Sequence, residues 1–214
     1  MQVLITGASR GIGAGLAEAY AAQGAVVRAT SRSGATGLPL DVADPASVAA
    51  LAREVGDEAL DLLICNAGVY LDKAEALQTG YAPELWAETF AVNVTGVFLT
   101  VQALLPNLAR ARTPKVAIVS SQMGSSARAG GNSLIYRASK AAATNLGLNL
   151  AQALAQDGIA VGVYHPGWVR TDMGGSGADI GVDESVSGLM ARIAALGLAT
   201  TGVFETWDGR PHPV

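Results

Sequence analysis

The chain has little charge, one cysteine and few aromatic residues, and each shortage removes a class of explanation. Of its 214 residues, 15% are charged, against roughly 25% in an average soluble protein. Fourteen basic residues face 18 acidic ones, giving a formal net charge of −4. A nucleic-acid partner requires a concentrated cationic face, and no basic stripe interrupts the sequence. Cys65 has no second cysteine to pair with, which excludes an internal disulfide framework and suits a reducing cytoplasm. One cysteine and two separated histidines argue against a Cys/His metal site. No apolar run approaches the roughly 18 residues of a membrane span, so no membrane partner is expected. Met1-Gln2 lead directly into strand-like Val3-Leu4-Ile5, so no signal peptide is expected either.

What is abundant is apolar surface, at 50% of residues. Part of it is expected between subunits, as a homodimer or homotetramer. Residues 1–214 read as one domain. Short apolar runs alternate with stretches of helical period, the pattern of an α/β fold with a parallel sheet covered on both faces. Strands are expected at Val3–Thr6, Ala25–Thr30, Gly37–Leu40, Asp61–Cys65, Lys115–Ser120 and Ile159–Tyr164, with an edge at Gly202–Phe204. Helices are expected at Ile12–Gln23, Pro45–Val55, Pro83–Arg110, Ser133–Gln156 and Asp183–Leu196. Asp44-Pro45 reads as an N-cap followed by a helix-initiating proline. Too few residues separate Arg32 from Gly37 for a helix between the second and third strands. Met173–Ile180, rich in glycine, is expected to be a mobile loop where a substrate lid would sit.

Gly7, Gly11 and Gly13 follow the first strand and open a helix. Glycine there lets backbone N–H groups approach a phosphate, and the helix N-terminus adds unsatisfied donors and a favourable dipole. The spacing Gly-x-x-x-Gly-x-Gly departs from the common dinucleotide fingerprint. After the second strand an NAD site normally carries an acid for the ribose hydroxyls, yet the chain reads Ala29-Thr30-Ser31-Arg32. Arg32, aided by Arg10, can hold a 2′-phosphate, so NADP(H) is expected over NAD(H).

Tyr136 and Lys140 are four residues apart in Tyr-Arg-Ala-Ser-Lys, so a helix stacks phenol and ammonium on one face. A free tyrosine titrates near 10, so basicity near neutrality needs a downward shift of roughly three units. The neighbouring ammonium, together with the positive charge of an oxidised nicotinamide, is expected to favour the phenolate.

With these residues assembled, the chain resembles the short-chain dehydrogenase/reductase family over nearly its whole length. Thr6-Gly7-Ala8-Ser9-Arg10-Gly11-Ile12-Gly13 matches the family's cofactor motif, and Asp41-Val42 falls where members contact the adenine. Cys65-Asn66-Ala67-Gly68 matches the Asn-Asn-Ala-Gly motif with Cys65 in place of the first Asn. Asn93 fits the family's helix asparagine. Ser121 matches the catalytic serine better than Ser120, which stays an alternative. Pro166-Gly167, Val169 and Thr171 resemble the segment that passes the nicotinamide. Ser120–Ser125, Tyr136–Ala142 and His165–Gly175 are similar to one subgroup, the C-factor-like and sniffer-like carbonyl reductases.

The resemblance implies a doubly wound Rossmann-type sheet of about seven strands. It also implies a cofactor site built from Gly7, Ser9, Arg10, Gly11, Ile12, Gly13, Arg32, Asp41, Val42, Asn66, Ala67, Gly68, Tyr136, Lys140, Pro166, Gly167, Val169 and Thr171. The catalytic set would be Asn93, Ser121, Tyr136 and Lys140. Tyr136 would exchange the proton, Ser121 orient the substrate oxygen, Lys140 bond the nicotinamide ribose, and Asn93 hold a proton-relaying water. The implied activity is hydride exchange between NADPH and a small aldehyde, ketone or alcohol. A catalytically silent NADP-binding regulator is the competing reading, and the intact catalytic set argues against it. A sugar-nucleotide epimerase would need a larger C-terminal substrate domain. Helices Pro83–Arg110 and Ser133–Gln156 are the oligomer surfaces the family implies. His165 and Cys65 read as structural residues, and Trp168 as either pocket wall or packing.

Overall fold

The structure, a computed structural model, describes residues 1–214. Its strands are β1 (Gln2–Ile5), β2 (Val26–Ser31), β3 (Leu38–Pro39), β4 (Leu62–Cys65), β5 (Lys115–Val119), β6 (Ala160–His165) and β7 (Phe204–Thr206). They form one parallel seven-stranded sheet in the order β3-β2-β1-β4-β5-β6-β7. The helices are α1 (Gly11–Ala22), α2 (Pro45–Val55), α3 (Pro83–Phe90), α4 (Gly96–Leu108), α5 (Leu134–Leu154) and α6 (Val182–Ala195). This is the α/β architecture the sequence implies.

Side chains alternate across each strand, so the sheet feeds two apolar layers. Leu4, Leu63, Val116, Ile118, Val161 and Val163 meet residues of α2, α4 and α5 on one face. Val3, Ile5, Leu62, Ile64 and Ala117 meet α1 and α6 on the other. Because both faces are covered, the central strands read as unbroken apolar runs. Every residue of β4 is buried.

Several boundaries differ from expectation for local reasons. The helix expected over Pro83–Arg110 is continuous but interrupted by a π-helical turn, Ala91–Thr95. The edge strand starts at Phe204 rather than Gly202. Gly202 takes φ +84 in the preceding turn, and its N–H bonds the Val161 carbonyl at 2.8 Å. No helix joins β2 to β3, as expected, and Gly37 at φ +127 packs so tightly on the Ala29 carbonyl that a Cβ would overlap it.

Counting uninterrupted apolar residues missed one property of Pro83–Leu108. Its 26 residues are long and apolar enough to cross a membrane by length and composition alone, with a window of mean hydropathy 1.5. Val97, Val101, Leu104 and Leu108 of that helix are buried in the core, which is the pattern of a sheet-packed helix.

Asp44 caps α2 by accepting from the Ala46 N–H at 2.9 Å, with Pro45 at the first helical position. Asp44→Ala is expected to cost about 1 kcal/mol. In a domain of this size that lowers Tm by roughly 2–4 °C, measurable by thermal unfolding.

Candidate active site

β1 and β4 are neighbours and end level with one another, so the residues leaving them share one rim. Thr6 Oγ1 accepts the N–H groups of Asn66 and Ala67, both at 3.0 Å. Asn66 Nδ2 donates back to the carbonyls of Thr6 and Gly7 at 3.0 and 2.9 Å. The glycine loop is thereby tied to the Asn66-Ala67-Gly68 turn. Gly7 takes φ +68, and a Cβ on Gly13 would sit 2.5 Å from Asn66 Nδ2. The N-terminus of α1 carries no side-chain cap and no acid in its first turn. Its orphan donors therefore face the rim free, as an anion site requires.

On α5, Tyr136 and Lys140 lie one turn apart and are 7% and 5% exposed. Lys140 Nζ sits 5.9 Å from the Tyr136 ring centroid and donates to the Val119 carbonyl at 3.0 Å. Burial pushes the Tyr136 phenol up to about 12, against a hydrogen bond from Ser121 that pulls it down and nearby Tyr70 and Asp72 that push it further up. Burial draws the Lys140 ammonium down to about 8. The ammonium alone does not bring the phenol down. Desolvation disfavours each charged form more than the pair's attraction favours it.

The two serines after β5 have different neighbours. Ser120 Oγ donates to the Lys140 carbonyl at 3.1 Å and lies 2.7 Å from Thr144 Oγ1, which binds it to the helix. Ser121 Oγ accepts the Met123 N–H at 3.1 Å, and its hydroxyl favours the ionised form of the Tyr136 phenol.

Asn93 occupies the π-helical turn, a form that recurs at functional sites. Its Oδ1 accepts the Val69 N–H at 2.8 Å, while Nδ2 donates to the Val69 carbonyl at 2.9 Å and Ser139 Oγ at 3.0 Å. Three of four hydrogen-bonding positions are thus engaged, and one Oδ1 lone pair remains. A Cβ built on Gly68 would lie 3.3 Å from that Oδ1 and 3.4 Å from Lys140 Nζ.

The loop expected to be mobile is instead pinned. Arg170 donates to the carbonyls of Ala178 and Asp179 at 3.0 Å, and Trp168 Nε1 donates to the Gly174 carbonyl at 2.9 Å. Thr171 Oγ1 accepts the Gly174 N–H at 3.0 Å. Arg10 pairs with Asp172 at 2.6 Å, and Lys73 donates to the Met173 carbonyl. Glycine content signals backbone freedom, and these side-chain bonds at both ends restrain it.

These elements enclose a cavity of about 530 Å³ at the carboxyl ends of the strands. Gly7, Ser9, Arg10, Gly11, Ile12, Gly13, Arg32, Asp41, Val42, Asn66, Ala67, Gly68, Tyr136, Lys140, Pro166 and Thr171 all border it. Asn93, Ser121, Gly167 and Val169 do not, whereas Ser120, the alternative to Ser121, does. Asn93 and Ser121 act on residues that do, while Gly167 packs on Trp207 and Val169 bridges to Ile180. Sequence reasoning missed Ser31, whose buried hydroxyl borders the cavity without a protein partner. It also missed Asp72, Tyr70 and Asp172, which no motif spacing flags. A larger cavity of about 680 Å³ opens at the other end of the sheet, beside Met1, Asp61 and Lys115, and holds none of these residues. His165 is buried, and desolvation lowers it to about 4. Burial pushes Cys65 up to about 12, an inert thiol.

The family model for short chain dehydrogenases matches residues 1–179. The 3-oxoacyl-(acyl-carrier-protein) reductase FabG of Escherichia coli is 32% identical over 207 residues, covering 90% of this chain and 81% of its own. The NADPH-bound carbonyl reductase from chicken fatty liver is 32% identical, with TM-score 0.91 over 100% of this chain and 98% of its own. The carbonyl reductase Sniffer of D. melanogaster is 27% identical, with TM-score 0.91 over 100% and 99%.

Proposed function

The chain belongs to the short-chain dehydrogenase family, and from that premise we propose an NADPH-dependent reductase of small aldehydes or ketones. It is an NAD(P)-dependent oxidoreductase, with residues 1–214 serving as one cofactor-binding domain. The observation that carries the finer reading is the buried Tyr136 phenol, bordering the cavity one helical turn from Lys140, whose Nζ lies 5.9 Å from its ring centroid.

The residues present fit a phosphorylated dinucleotide. The glycine cradle and uncapped α1 receive the pyrophosphate. Asp41 and Val42 border the adenine end. There Arg32 stands free of any ion pair, beside the unpartnered Ser31 hydroxyl. No acid takes the place that would bind a 2′-hydroxyl. The NADPH bound in the chicken relative supports the same choice.

The bound nicotinamide supplies the hydride. The chain's own residues handle the oxygen. Ser121 donates to the carbonyl oxygen and holds it toward Tyr136. Tyr136, kept protonated by burial, delivers its proton as the oxygen gains charge. Lys140 keeps the ammonium beside the phenol and anchors the cofactor ribose. The open Oδ1 position of Asn93, close to Lys140, supports a water-borne proton path to solvent. Pro166 and Thr171 border the cavity, and the segment they bracket, with Gly167 and Val169, would pass the nicotinamide. Oligomer contacts through α3, α4 and α5 are supported by exposed Trp86 and Phe98, and a buried free thiol suits the cytoplasm.

Tyr136→Phe removes the transferable proton alone. Carbonyl reduction should fall by about 10²–10⁴-fold while NADPH binding, read by thermal shift, is retained. Surviving turnover would end the assignment. Arg32→Asp should reverse the cofactor preference, seen as the ratio of kcat/KM for NADPH and NADH. Equal use of both cofactors before and after would remove Arg32 from the site. The kcat/KM for NADPH, which reports free-enzyme groups, should be level below pH 8 and decline above it. There Lys140, lowered to about 8, loses its charge while Tyr136 keeps its proton. A level profile to pH 10 would contradict this.

A further inference from the structure

One buried carboxylate lies directly behind the phenol's helix. Asp72 is 0% exposed and follows β4. Its Oδ2 accepts the Ile135 N–H at 2.8 Å, and both oxygens lie 3.3 Å from the Tyr136 nitrogen as acceptors of its N–H. These are two of the unpaired donors in the first turn of α5. The residue before that helix, Ser133, sits at φ +50 and provides no side-chain cap. The cap comes instead from a residue 63 positions away in sequence.

A second contact from the same segment reaches the ring. Tyr70 stacks on Tyr136 with centroids 4.2 Å apart and planes 22° off parallel, and its hydroxyl is hydrogen-bonded to Ser133 Oγ. Val69–Asp72 therefore grips the backbone and the ring of Tyr136 together. Lys140 from α5, Ser121 from the turn after β5 and Tyr70 from the segment after β4 surround the Tyr136 side chain, and a fourth group, Asp72 of that same segment, lies on the backbone side of its turn. Lys73 lies farther out, over Tyr70 at 5.0 Å. Of the four, Asp72 alone is an acid, and a negative charge in a dry site opposes a second one beside it.

We propose that Asp72 is a positioning residue for the reaction: it seats the first turn of α5 so that the Tyr136 phenol is presented toward Ser121, and it places a carboxyl group on the far side of that turn. This rests on the reading of Tyr136 as the acid. A plain cap would stabilise the helix without touching the phenol's ionisation, and that difference is measurable.

Asp72→Asn keeps a side-chain oxygen for one N–H and removes the charge. The protein is labelled with 3,5-difluorotyrosine, whose more acidic phenol titrates while the chain is folded. Fluorine NMR then follows the five tyrosines, with Tyr136 assigned from its missing signal in Tyr136→Phe. The Tyr136 midpoint should move to lower pH by about one unit. The kcat for carbonyl reduction should fall about tenfold, with KM for NADPH changed less than about twofold, the signature of a lost interaction outside ground-state binding. A midpoint that stays in place while Tm drops would overturn the proposal and leave a cap only. Should Asp72→Asn not fold, Asp72→Glu preserves the charge and displaces the grip. Its midpoint should hold within about 0.3 unit while kcat falls, and a full-unit displacement or an unchanged kcat would overturn the proposal. The titration requires no turnover. A displaced midpoint in a protein that reduces no carbonyl would therefore uphold the role of Asp72 and defeat the reductase reading. An active enzyme with an immobile midpoint would do the reverse.

Discussion

Thr6 and Asn66 cross-link the ends of two adjacent strands, and the rest of the site depends on that link. Parallel strands leave their last N–H and C=O groups unpaired at the rim, where burial without partners is costly. The Thr6 hydroxyl and the Asn66 amide satisfy five of these contacts among Thr6, Gly7, Ile64, Asn66 and Ala67. The glycine loop is thus held at one height relative to the turn that passes Lys140. Gly13 must be small because the Asn66 amide occupies the space a methyl would need.

Dryness governs the chemistry next to that link. Tyr136 and Lys140 are each almost fully enclosed, and both are driven toward their neutral forms. A positively charged neighbour does not of itself make a phenol acidic when both are desolvated. Burial favours the protonated phenol, which is the form the proposed reduction needs.

Much of this was legible in the sequence because the signals are local. Apolar runs gave the central strands, and Asp44-Pro45 gave the start of α2. A spacing of one helical turn paired Tyr136 with Lys140. Arg32 stood out because an acid was missing. What escaped had its cause elsewhere in the chain. The cap on α5 comes from Asp72, and nothing near Leu134 announces it. The π-helical turn arises where Asn93 is held by Val69 and Ser139 together. The pinning of the loop after β6 needs Arg10 and Lys73, both far upstream. The direction of the Tyr136 shift follows from enclosure, which composition does not encode.

One feature of the fold explains why that loop is there at all. The link from β5 to β6 runs toward the β7 edge with α5 on one face, while the link from β6 to β7 runs the same way with α6 on the opposite face, beside α1. Two such connections have opposite hands. Since α1, α2, α4 and α5 agree with one another, β6–α6–β7 is the left-handed crossover, in a class where about 98% are right-handed. To change faces, the chain must climb over the top of the sheet before α6 begins. Its route passes Thr171 against Gly11 and Asp172 against Arg10. A connection of ordinary hand would have stayed on the side of α5 and left the glycine loop bare. The rare chirality roofs that loop with the protein's own backbone.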